Sequence, residues 1–325
     1  MFGNYAFKNV VGRNQNHLLV RLNNSIDLSF IEEIVSDCYC HDNGRPAYNP
    51  VIMFKILFLQ ALYDESDEKI IEAVDTNILF RFFIGLSLED DIPDRTLLGK
   101  FKARLGEERF NDIFNHIVGL AKEIGLLDNR LRLIDCSAVK ANVDVYRCTK
   151  SKKDDDDKTY IDRNTPDPDA STGYKTPKNK WYGYKSGITM DAESEIVTAV
   201  ETTTAKTADT DHLESLVKKD IAASGGAKRI CGDKGFVGHN EFLKQHKIVN
   251  NVIRRKNMKI PWRLIYRLDK SVRPIIEHKF AEGKKYHGLG KARHHRRWRV
   301  HIQSLIIYLT MNLKKITNYL SPITS

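Results

Sequence analysis

The nine residues LRLIDCSAV, Leu131 to Val139, decide how this chain reads, because the apolar period changes there. Up to about Asp128, apolar residues recur at helical spacing; from Leu131 they form a short β-like run. Asp135 interrupts that run at a position where strand propensity disfavours it. Downstream, Tyr182 to Met190 and Ile196 to Val200 read as a hairpin pair around the turn Asp191, Ala192, Glu193, Ser194. An amphipathic helix with Leu213, Leu216, Val217 and Ile221 follows, ended by Gly225 and Gly226. Arg229 to Cys231 is a strand leading into Gly232, Asp233, Lys234 and Gly235, and Ile248 to Ile253 is another strand candidate. A helix from about Ser271 tolerates Pro274 in its first turn, and a last helix carries Ile302, Leu305, Ile306, Leu309, Leu313 and Ile316. That order predicts an α/β domain with a mixed sheet, over residues 129–325.

The preceding residues, 1–128, read as all helical. Ser29 and Glu32 have capping-box spacing. Pro50 opens an apolar helix with Phe54, Leu57, Phe58 and Leu62. Ser66 caps one with Ile70, Ile71, Val74 and Ile78. Asp94 caps another that Gly106 ends, and a longer one runs from Phe110 to Gly125. The Asp94 helix bears Arg95, Lys100, Lys102 and Arg104. Two short helices in succession, the second basic, suit a helix-turn-helix reader of DNA, and equally a plain bundle with a solvated basic face.

Charge separates the chain further. The 325 residues carry a formal charge of +10, yet Lys247 to Ser325 hold 19 Lys and Arg against only Asp269, Glu277 and Glu282. A basic quarter on a mildly acidic body points to a localised polyanion contact, with nucleic acid the leading partner. No apolar run reaches the ~18–20 residues of a membrane span, and Met1 to Asn4 lack a signal-peptide plan, so a cytoplasmic protein is expected. Five cysteines at unrelated spacings argue for reduced thiols. Cys38, Cys40 and His41 lack the second pair that a zinc finger needs. The polar stretch 142–180, with Asp154 to Asp157 inside it, reads as a mobile insertion whose acids stay solvated. GLGKAR, from Gly288, lacks the last glycine and the leading strand of a dinucleotide fingerprint. Trp262 and Trp298 are candidates for base stacking, though Trp298 heads an apolar helix where core is the commoner fate.

Three acids stand where simple structural reasons are weak: Asp135 inside its strand, Asp233 in a Gly-flanked turn, and Glu277 in the basic quarter. Converging carboxylates suit hard cations such as Mg2+ or Mn2+, and two such ions at a phosphodiester activate water and stabilise the leaving oxygen. Arg273, Glu277 and Lys284 fall within about 40° of one helix face, a metal ligand flanked by two cations, although Arg and Glu at i,i+4 is also an ordinary surface pair.

Taken in order, LIDCSAVKAN (133–142), DPDAS (167–171) with KWYGYKSGITMD (180–191), ICGDKGF (230–236) and RPIIEHKFAEGK (273–284), preceded by the helical NGRPAYNP…FKARL (43–105), resemble the DDE (Asp-Asp-Glu) transposases of bacterial insertion sequences. The resemblance covers nearly the whole chain. It implies an RNase H-like catalytic domain behind a helical DNA-binding region, with Asp135, Asp233 and Glu277 as catalytic metal ligands for two Mg2+ or Mn2+ ions. It implies DNA contacts by Arg273 and Lys284, and by the basic run with Arg293, Arg296 and Arg297. Lys270 stands where the family signature usually begins with Tyr. The implied partners are double-stranded DNA, as element ends and as target, and a second copy of the chain. A nuclease without joining activity, or a silent DNA-binding regulator, are the alternatives.

Overall fold

The computed structural model describes residues 2–39, 48–145, 165–176, 179–255, 257–258 and 264–323, in two compact units. One unit comprises Met1–Ile117 with Ile306–Ser325, and the other Val118–Leu305. Among the described residues no helix is long and apolar enough to cross a membrane.

The first unit is helical: α1 (Phe2–Arg13), α2 (Leu18–Ser25), α3 (Phe30–Ile34), α4 (Pro50–Tyr63), α5 (Asp67–Thr76), α6 (Ile78–Ile84) and the start of α7 (Arg95–Glu123). Helix α4 buries Met53, Phe54, Ile56, Leu57, Phe58 and Leu59, residues on all its sides, so it is the centre of the core. Asn49 caps α4 and Ser66 caps α5, each by accepting a backbone N–H. The predicted Ser66 helix ends early, because Asn77 accepts the amides of Leu79 and Phe80 and starts a new helix. Ser29 does not cap α3; its hydroxyl and amide both turn to Asp27, and Glu32 instead accepts from Asn49. Gly106, at φ +63°, breaks α7 where the sequence ends the Asp94 helix. The C-terminal residues belong here too: buried Arg21 donates to Asn318 Oδ1 at 2.8 Å and to Ser321 O at 2.5 Å.

The second unit is a six-stranded mixed sheet of β1 (Leu131–Lys140), β2 (Ser171–Thr176), β3 (Asn179–Asp191), β4 (Val197–Thr204), β5 (Arg229–Gly232) and β6 (Val249–Asn250). β3 pairs antiparallel with β1 along one edge, while β4 and β2 share its other edge end to end. β5 and then β6 add in parallel beyond β1. Helices α8 (Leu213–Ser224), α9 (Asn240–Gln245), α10 (Leu264–Val272), α11 (Pro274–Tyr286) and the long α12 (Arg297–Leu320) complete the chain. Leu213, Leu216 and Val217 of α8 pack on Ile134, Ala199, Ile230 and Phe236. A helical region followed in the chain by an α/β mixed sheet is the fold class expected.

Two expectations change in detail. The insertion is narrower than 142–180, because β2 lies within it and pairs with β3. DPDAS is ordered by Asp167, which is fully buried and accepts from Tyr184 Oη at 2.6 Å and the Arg296 amide at 3.0 Å. The residues Asp154 to Asp157, Cys40, His41 and Trp262 lie outside the described residues. The helix from Ser271 is two helices, since proline has no N–H to continue α10 and opens α11 instead.

A buried ion-pair hub pins β1 to its neighbours. Arg132, 1% exposed, donates to Asp191 Oδ1 at 2.5 Å and to Asp220 Oδ1 at 3.0 Å. It also reaches Ser224 Oγ and Asn129 Oδ1. Both carboxylates are themselves buried, so every charge in the hub depends on another.

Candidate active site

Strand pairing brings the first two acids together. The parallel register of β1 with β5 runs to Ile134 opposite Gly232, and there β5 stops. One residue on, Asp233 leaves the sheet beside Asp135, which stays in β1 opposite Ile188 of β3 and feels the Asp233 charge. Gly232 makes that approach possible: a β-carbon there would lie 2.6 Å from Ile134 Cγ2 and 3.0 Å from Ile134 O. Asp233 then accepts the Lys234 amide at 2.7 Å, capping a single 3-10 turn whose Phe236 is fully buried. The short motif GDKGF thus combines a close strand contact, a free-facing carboxylate and an anchor.

Asp135 is largely buried, with a side chain only 14% exposed. Its Oδ1 accepts the Cys136 amide at 2.8 Å and its Oδ2 accepts Arg273 Nη2 at 2.9 Å. Burial pushes this carboxyl up to about 6; Arg273 and the Cys136 amide pull it down, and the charges of Asp209 and Asp233 push it further up. Arg273 sits at the joint between α10 and α11, and its other Nη donates to Glu277 Oε1 in the first turn of α11. One guanidinium therefore spans the first and third acids. Glu277 is more open, at 55% side-chain exposure. Among the described residues no group of three or more Asp, Glu, His or Cys converges tightly enough to enclose a metal ion.

The donor set nevertheless suits a hard divalent cation. It offers carboxylate oxygens alone, one of them desolvated and one exposed, around a point where a side-chain cation already sits. A fourth acid, Asp209, was missed in the sequence. Lys185 of β3 holds it, donating to Asp209 Oδ1 at 2.8 Å and to Thr207 O at 2.6 Å. The available signal was a lysine in the otherwise apolar and small-residue run of β3, where a buried ammonium needs a partner.

The remaining predicted cations divide. Lys270 is exposed on α10, and Lys284 is exposed on α11, two turns beyond Glu277. The backbone amides of Arg296 and Arg297 start α12 by donating to Asp167 and Asp169, each at 3.0 Å. Arg293 is half-buried, its amide held by Gln303. In the helical unit Arg95 lies 3.5 Å from Glu68, Lys100 is exposed, and Arg104 stacks over the Tyr39 ring at 4.8 Å. Lys102 is a correction: it is buried and its ammonium turns to Asp67, 3.8 Å away, so it is not on a surface that a DNA groove reaches. Trp298 is half-buried beneath the Arg299 guanidinium rather than open for stacking.

Two family models match the sequence: a transposase domain (DUF772) over residues 11–104 and the transposase DDE domain over residues 149–313. The second spans half of the chain and includes Asp233 and Glu277. The chain belongs to the DDE transposase family. Solved structures with similarity to it include a piggyBac transposase synaptic complex with hairpin DNA, at 12% identity and a TM-score of 0.42, covering 93% of this chain and 79% of that one. A pre-cleavage Mos1 transpososome is similar at 10% identity and a TM-score of 0.22, covering 88% and 83%. A Mos1 paired-end complex with the left transposon end follows at 11% and 0.21, with the same coverage.

Proposed function

We propose that this transposase cuts DNA at the ends of a mobile element and joins the freed strand to target DNA, using Asp135, Asp233 and Glu277. The observation that carries the reading is Asp233 at the end of β5 beside Asp135 within the parallel-paired β1, with Glu277 tied to Asp135 through one arginine. The three carboxylates would hold divalent metal, Mg2+ or Mn2+ and two ions in all. Bound there, the metal supplies charge neutralisation at the phosphodiester and a more acidic attacking oxygen. The chain's own groups do the rest. The burial of Asp135 strengthens each charge interaction it makes. Arg273, once released from its two carboxylates, is placed to take a phosphate oxygen, a role for which a planar fork is suited. The turn capped by Asp233 and anchored by Phe236 keeps that carboxylate in register with β1.

The helical residues 1–128 serve as the DNA-binding region, with Arg95, Lys100 and Arg104 as the contacts still open to it. The working form is a homo-oligomer on paired DNA ends, acting at the bacterial nucleoid. The test is incubation with Mg2+, labelled DNA from both flanks of the coding region and a plasmid target. Joined products that vanish in Asp135→Asn, Asp233→Asn and Glu277→Gln, with DNA retention kept, are the expected result. Cuts without joining would make the chain a nuclease, and retention without cuts a binding protein only.

A further inference from the structure

Four lysines meet at one corner of the sheet unit. Lys140 ends β1 and forms an isolated parallel bridge with Lys291. The Lys140 amide donates to Gly290 O at 3.0 Å, and the Ala292 amide to Lys140 O at 2.8 Å. Bridged residues lie about 4.8 Å apart and face the same side. Gly290 also lies against Lys284, since a β-carbon built on it would be 3.7 Å from Lys284 Cγ. Lys175 of β2 completes the group. Partial burial, and then the charges of Lys175 and Lys140, hold the Lys284 ammonium below the usual lysine value. All four side chains are exposed, and within the described residues none of them has an ion-pair partner.

Like charges gathered with no ion-pair partner among the described residues repel one another, and a polyanion relieves that repulsion. The GLGK stretch, which is no dinucleotide fingerprint, has another use here: it lays Lys291 beside Lys140 and rests Gly290 on the Lys284 stem. The corner is also aligned with the acids. Lys284 follows Glu277 by seven residues, about 10.5 Å along α11 and within roughly 20° of the same face. At one phosphate per ~3.4 Å of duplex axis along a strand, that separation is about three nucleotides. The corner is open and spread over two strands, a loop and a helix, which fits a running backbone better than an enclosed small anion.

We propose that Lys140, Lys175, Lys284 and Lys291 form a cradle for the DNA phosphate backbone, about three nucleotides from the reacting phosphodiester. The distance from the reacting group rests on the proposed chemistry; the cradle itself does not. The probe is a fluorescent 40-base-pair duplex, bound in EDTA by the full chain carrying Asp135→Asn, so that binding is read without cleavage. The slope of log affinity against log salt is compared with that of K140Q/K175Q/K291Q in the same background. If each lysine meets one phosphate, the slope falls by about 2.7, so the affinity lost between 50 and 200 mM salt shrinks about 40-fold. The matched triple K218Q/K228Q/K244Q removes equal charge elsewhere and should leave the slope unchanged. An unchanged slope in the first triple, or an equal fall in the second, overturns the cradle. Single K175Q, which touches only an exposed β2 side chain, should lower the slope by about 0.9 and covers the case of a triple that fails to fold. A wild-type chain that binds with the full slope yet never cuts with Mg2+ would sink the proposed function and leave the cradle standing.

Discussion

Asp135→Asn should make the metal-free protein more stable while abolishing its chemistry. The folded carboxyl titrates at about 6 against 3.8 for an unperturbed one, and burial is the main cause. Between those values the folded chain holds a proton that the unfolded chain has released, so stability falls as pH rises through that window. The difference between those two values amounts to roughly 3 kcal/mol above pH 7. By the same linkage it is about 2 kcal/mol at pH 5. Asparagine cannot titrate, so the wild type should lose on the order of 1 kcal/mol relative to the variant between pH 5 and pH 7.5. Weakening of the Arg273 contact adds an offset to the variant, but one without pH dependence across this range. The assay is denaturant unfolding of both proteins in EDTA at the two pH values, followed in 5 mM Mg2+. Magnesium should then stabilise the wild type at pH 7.5 and leave Asp135→Asn nearly unmoved, because ligation favours only the fold that can bind it. A gap that stays constant with pH, or one that moves toward a more stable wild type at high pH, would refute the argument. The first outcome would mean that Arg273 balances burial at Asp135, and the second that it outweighs burial.

Two further outcomes follow from packing. Arg132→Met leaves Asp191 and Asp220 buried without their cation and should cost about 3–5 kcal/mol, seen as a lower denaturation midpoint; adding Asp191→Asn and Asp220→Asn should recover part of it. Gly232→Ala pushes a methyl against Ile134 and should cost about 1–3 kcal/mol. Because the strain lies between the two acids, strand cleavage should fall far more than the melting temperature would suggest.

Much of the fold was legible along the chain because it depends on local chemistry. Gly106 breaks α7, Asn49 and Ser66 cap their helices, and Pro50 opens α4, each through backbone geometry or one nearby hydrogen bond. Strands β1, β3, β4 and β5 were visible as apolar runs. β2 was not, since its residues are mostly polar and its order comes from pairing with β3 and from the buried Asp167, held by Tyr184 and the Arg296 amide. The Ser29 cap failed for a local reason: Asp27, two residues away, offered a better acceptor for the same groups.

The sequence by itself singled out Asp135, Asp233 and Glu277, because they sit where propensity, turn geometry and charge balance each make a carboxylate unexpected. Tertiary structure alone decided how they are held. Arg273 clasps two of the acids; Lys102 is buried against Asp67; Lys185 and Asp209 pair only because β3 and the loop after β4 meet. The physical reason is range. Propensity and capping act over a few residues, whereas a buried charge is settled by whichever opposite charge the fold delivers, here across 138 positions from Asp135 to Arg273.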